Sequence, residues 1–148
     1  MQLISWRLRS YLTLRELHLK LPALPPSEYS ANRARGADWG RQYRVSRGKR
    51  GAIEELVALV KTRQWNGPAM DHARIEVHFQ LPDRRRRDGL GLLERLKPWV
   101  DGLVEAGVIK DDALVNIGFP QATWEYVKGE PAATWILIIE EDETCKSG

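Results

Sequence analysis

Polar and apolar residues alternate from Glu16 to Ala23 (Glu-Leu-His-Leu-Lys-Leu-Pro-Ala), the period-two signature of a strand with one buried face. Pro22, Pro25 and Pro26 end it. From Ser27 to about Arg50 no period is visible. That stretch is rich in Ser, Asn, Gly and Arg, carries Tyr29, Trp39 and Tyr43, and reads as a long basic loop of the kind that serves function. Ile53, Leu56, Val57 and Val60 then recur at helical spacing, which predicts an amphipathic helix over 52–63 that stops near Gly67-Pro68. Alternation returns over 73–81 through Ile75, Val77, Phe79 and Leu81, giving a second strand. A second helix is predicted over 92–106, with Leu93, Leu96, Val100, Leu103 and Val104 on one face. Pro98 must kink it or lie in its first turn, and Gly107 suits its C-cap. Two more strands follow, over 114–119 (extending toward Val127) and 134–140, with Gly129-Glu130-Pro131 as the turn between them. The order β-α-β-α-β-β predicts an α/β fold: a small mixed sheet of about four strands with two main helices packed on it.

At 148 residues the chain suits one domain with a real core, and its 29% charged and 43% hydrophobic content is that of a soluble globular protein. The net charge of +3 hides a strong asymmetry. Residues 1–65 hold 13 Lys/Arg against 5 Asp/Glu, and the rest hold 10 against 15. A basic first half can offer a positive surface to a nucleic acid, whereas Glu140-Glu141-Asp142-Glu143 opens an acidic, solvated tail over 141–148. Cys145 is the sole cysteine, so neither a disulfide framework nor a Cys-based zinc site is expected, and His18, His72 and His78 lack metal-ligand spacing. No apolar run approaches the roughly 18 residues of a membrane span. The first fifteen residues lack the apolar centre of a signal peptide, so a cytoplasmic location without membrane contact is expected.

Chemistry concentrates after the second strand. Arg84, Arg85, Arg86 and Arg87 follow one another, and an unpaired buried charge costs several kcal/mol, so the run must face solvent or a polyanion. Asp88 ends the run, and Asp111-Asp112 follow the predicted helix. Carboxylates beside a phosphate-seeking surface are what a metal-dependent phosphodiesterase needs, because Mg²⁺ takes carboxylate oxygens and a nearby cation steadies the charged transition state. Lys97 lies early in the helix, where it can point toward the same pocket. The alternative is plain: Asp111-Asp112 form a turn, Lys97 is a solvated helix lysine, and the arginines line a solvated edge.

The segments Pro82-Asp83-Arg84-Arg85-Arg86-Arg87-Asp88, Leu96-Lys97-Pro98-Trp99-Val100-Asp101-Gly102-Leu103 and Asp111-Asp112 closely resemble the RusA family of Holliday junction resolvases. Leu21-Pro22-Ala23-Leu24-Pro25-Pro26-Ser27 is similar to that family's first strand and its Pro-Pro-Ser turn. The likeness spans residues 16–140 and leaves 1–15 as an N-terminal extension. It implies a dimeric, RusA-like fold and a bacterial or phage-encoded, Mg²⁺-dependent endonuclease that resolves four-way DNA junctions by paired nicks. Carried over by motif, Asp88, Lys97 and Asp112 are the catalytic residues, with Asp88, Asp112 and the neighbouring Asp111 as metal ligands. Arg84–Arg87, together with Arg41, Arg44, Arg47, Lys49 and Arg50 of the basic loop, would track the junction arms. One position departs from the pattern: the family's second aspartate falls on Leu90, and the following Asn on Gly91. Either Glu94, one turn on, supplies the missing carboxylate, or the site is impaired and the protein binds branched DNA without cutting it. The plain alternative for Leu90, three residues before Leu93, is a place on the apolar face of the helix.

Overall fold

The computed structural model describes residues 14–25 and 39–142, without the side chains of 39–47. Three strands build the buried face. β1 (Glu16–Leu21) turns Leu17, Leu19 and Leu21 inward and stops before Pro22, which has no N–H to give to a ladder. β2 (Ala73–Leu81) buries every second residue, and β4 (Ala133–Glu140) lies between them, antiparallel to both. Rows therefore run straight across the sheet: Ile136 stands between Leu19 and Val77, and Thr134 between Leu21 and Phe79. β3 (Gln121–Tyr126) pairs parallel to β2 and completes the order β1-β4-β2-β3, a four-stranded mixed sheet as expected.

Helices supply the second layer. α1 (Trp39–Thr62) contributes Ala52, Leu56 and Val60 to the core, and α3 (Lys97–Glu105) contributes Trp99, Val100 and Leu103. They cross closely at Gly102, where a Cβ would come within 2.9 Å of the Leu56 side chain and 3.1 Å of the Ile53 carbonyl oxygen. Arg50 ties the same pair from outside, 2.9 Å from Glu105 and 3.4 Å from Glu54. The residues just before β1 and at the end of β4 are tied in as well. Arg15 pairs with Glu140 at 2.6 Å and stacks on Trp65, while Glu141 approaches Arg74 at 3.6 Å.

Three sequence expectations are corrected. Residues 39–50, read as loop, are the first half of α1. Gly40, Gly48 and Gly51 disguised the helix by breaking its apolar period, and helix-favouring Arg, Gln and Lys fill the positions between. The helix predicted over 92–106 is two, α2 (Gly89–Glu94) and α3, with the break at Arg95-Leu96 and Pro98 in the first turn of α3, where its missing N–H costs nothing. Leu114–Phe119 is not a strand. α4 (Leu114–Ile117) is a single turn ended by Gly118 at φ 62°, and it is clamped by Asn116 donating to the Asp71 carbonyl (3.0 Å) and by His72 against the Val115 carbonyl (3.1 Å). Only Ile117 of that segment is buried among its large apolar residues; Leu114, Val115 and Phe119 are exposed. The strand begins later, at Gln121. No helix among the described residues is long and apolar enough to cross a membrane.

Candidate nucleic-acid interface

The arginine run sits in the loop that leaves β2, and Asp83 organises it. The Asp83 carboxylate accepts from the Arg85 amide (3.1 Å) and pairs with Arg87 at 3.0 Å and Arg85 at 3.3 Å. The backbone hydrogen bond from Arg85, more than the nearby cations, holds that carboxyl below the usual range, so it stays ionised. Arg87 is largely covered and donates to the Asp83 and Arg85 carbonyls at 2.9 and 3.3 Å, which makes it a brace of the loop. Arg84 lies over the Tyr126 ring, 4.9 Å from its centroid. Arg84, Arg85 and Arg86 are exposed, and Arg86 has no side-chain partner among the described residues. The run thus divides into one structural arginine and three that face outward.

Asp88 caps α2: its carboxylate accepts from the Leu90 amide at 3.1 Å. A Cβ on Gly91 would meet that carboxylate at 3.3 Å, so a glycine there leaves room for the cap. Leu90 does not join the apolar face of the helix. It is 78% exposed, because α2 begins only at Gly89 and turns Leu92 inward instead.

A charged cluster forms where the chain doubles back. Lys97, the first residue of α3, points its ammonium at Asp101 (2.9 Å) and at Asp112, which it contacts closely. The doubling back is fixed by Met70, whose amide donates to the Val108 carbonyl and whose carbonyl accepts from the Lys110 amide. Asp111 turns its carboxylate onto the Asp112 amide at 2.8 Å. The structure therefore joins Lys97 and Asp112, two residues that the resemblance singled out, and adds Asp101, which was not among the candidate site residues. The signal was available: Lys97 and Asp101 are four residues apart, the spacing of a helical ion pair.

Lys97 is raised above the ordinary lysine value, first by its hydrogen bond to Asp112 and against partial burial, and Asp112 is lowered first by the same bond. The lysine's contribution to stability is present below its unfolded value of about 10.4 and is lost only as pH rises through its higher folded value. The aspartate's is present above about 3.9 and is lost as pH falls through its lower folded value. The pair is therefore charged throughout the neutral range, and Lys97 is a fixed cation there, never a base. Both side chains are partly exposed, which limits the pair to about 0–1 kcal/mol. Replacing Asp112→Asn is expected to move the Lys97 titration down, read by NMR of its ε-methylene, with a stability loss under about 1 kcal/mol. An unmoved titration would show that the pair is not made in solution.

As they stand, these donors do not fit a resident Mg²⁺. Asp88 has one oxygen in the α2 cap, Leu90, where the resemblance places a second carboxylate, offers no oxygen, Glu94 is exposed at the end of α2, and Lys97 fills the space between Asp101 and Asp112. Among the described residues no three His, Cys, Asp or Glu side chains gather as a metal-holding group. Of the basic stretch, Lys49 is exposed, Arg50 braces α1 against α3, and the side chains of Arg41, Arg44 and Arg47 lie outside the described residues. No family model matches the chain, and no curated protein matches it.

Proposed function

We propose that this protein binds branched DNA, four-way junctions above all, as a RusA-like homodimer whose nuclease centre is impaired. The observation that carries the reading is the outward trio Arg84, Arg85 and Arg86, held on a loop braced by Asp83 and Arg87. Such a loop offers fixed positive charge to phosphates without having to be ordered on binding. Impairment is supported by Leu90, which stands exposed and without an oxygen where the resemblance places a carboxylate. A two-fold dimer would match a two-fold junction.

A second reading, Mg²⁺-dependent resolution by paired symmetric nicks, is favoured by a single observation: a lysine and two aspartates, the Lys97 and Asp112 of the resemblance among them, meet in one cluster. Incubating a synthetic four-way junction with the chain, with and without Mg²⁺, separates the two. Tight binding that weakens steeply with salt and leaves the strands whole is the expected result. Paired nicks that require Mg²⁺ would establish the second reading. Affinity no higher for the junction than for a linear duplex would overturn both.

A further inference from the structure

The rows of the sheet end unevenly. Leu21, Thr134 and Phe79 stand side by side on β1, β4 and β2, all buried, and the next residue in the row is Trp124 on β3, which is 69% exposed. The row below repeats the pattern: Leu19, Ile136 and Val77 are buried, and Ala122 is exposed. The helix layer that covers the inner face of three strands stops short of the fourth. What remains is an open cleft of about 740 Å³ with Trp124, Tyr126, Leu92 and Leu93 in its walls and Arg84 and Arg85 at its rim.

We infer that this cleft takes a single unstacked nucleobase, with its phosphate held by the arginine rim. The volume lies in the range of small-ligand sites, about 300–1,000 Å³. Two features of the lining select the occupant. The apolar and aromatic walls suit a flat ring, and every base has a face on which Trp or Tyr can stack. The rim is cationic: Arg84 on the Tyr126 ring and Arg85 beside Asp83 are both exposed and can each take a phosphate oxygen, which suits a nucleotide, whose anion lies next to its ring, better than an uncharged apolar ligand. Arg84, already stacked on Tyr126 at 4.9 Å, is held where a sugar-phosphate would leave the cleft. A second copy of this chain is the competing occupant of a bare edge strand, but it would have to bring acidic groups to the same rim.

This inference rests on the DNA-binding reading and goes further, because it needs a base taken out of its stack, which costs less at a branch point than inside a continuous duplex. The test uses a labelled short oligothymidylate and an abasic strand of equal length, with binding followed by anisotropy at low salt. The unmodified chain is expected to prefer the thymidylate by about ten-fold, the lower part of the range for base–aromatic stacking. Trp124→Ala is expected to abolish the preference while leaving abasic-strand affinity within about two-fold, since that strand is read through phosphates alone. Trp124→Phe should keep part of it. Trp124 is exposed, so the variants fold.

Equal affinity for the two strands, binding of neither, or a preference that survives Trp124→Ala would each overturn the inference. So would a Trp124→Ala variant that loses self-association by sedimentation, which would assign the face to a second copy. A chain that prefers thymidylate yet binds four-way junctions no better than duplex would keep the cleft and remove the junction reading. The two failures are thus distinguishable.

Discussion

Replacing Arg84, Arg85 and Arg86 together by glutamine weakens four-way junction binding by roughly a hundred-fold at low salt, and the log–log salt slope flattens by about 2–3. The slope is the sharper quantity. Each phosphate neutralised by a side chain releases condensed counterions and contributes about 0.9 to it on duplex DNA, so three arginines have a bounded, countable effect. Arg87 is left in place because its guanidinium braces the loop through Asp83 and two carbonyls; removing it would confuse loss of charge with loss of shape. The three replaced side chains are exposed, and their two contacts are surface ones: Arg84 over Tyr126 at about 0.5–1 kcal/mol and the Arg85–Asp83 pair at about 0–1 kcal/mol. Stability should therefore hardly move. If affinity falls and the slope does not, the arginines act through the shape of the loop rather than through phosphate, and the proposed interface lies elsewhere.

How far the chain could be read without coordinates depended on whether a residue's neighbours in sequence are also its neighbours in space. β1, β2 and β4 were legible because alternation records directly which side chains face the core, and each alternating run there is closed by a proline, a loop or a charge cluster. α4 was misread for the same reason. Val115, Ile117 and Phe119 alternate, but two of the three are exposed, and the turn is decided by Asn116 and His72 reaching residues 71 and 115, contacts that no local pattern encodes. The first half of α1 was hidden by glycines. At the site, Lys97 and Asp112 were singled out by the motif resemblance, and their contact depends on how the chain returns after α3. Asp101 was left out because it reads as a helix-surface acid, although it stands four residues from Lys97, the spacing of a helical ion pair. The bare edge at Trp124 was invisible in principle: its exposure depends on where the helix layer ends, which is a property of the packed whole.

Leu90→Asp is expected to give the largest change of any single substitution. The unmodified chain should leave a junction intact in Mg²⁺, and the variant should gain Mg²⁺-dependent nicking by at least about a hundred-fold, since even the outer partners of a metal alter activity on a ten- to hundred-fold scale. The reasoning is local. Leu90 is 78% exposed, so exchanging it removes no core contact. It stands two residues from Asp88, whose carboxylate the Leu90 amide already holds in place. A second carboxylate there supplies the oxygen that the present donors lack, and Mg²⁺ needs only one or two carboxylates when water and a phosphate complete its shell. A binding readout accompanies the activity: Mg²⁺ should raise the melting temperature of Leu90→Asp and not that of the unmodified chain. Were the unmodified chain to cut junctions, the missing oxygen would have to come from another acid. Glu94, one turn along from Leu90, is then the residue to change, and Glu94→Gln should abolish the nicks. A variant that binds Mg²⁺ yet cuts nothing would place the defect beyond residue 90, with the Lys97–Asp112 contact as the next element to break.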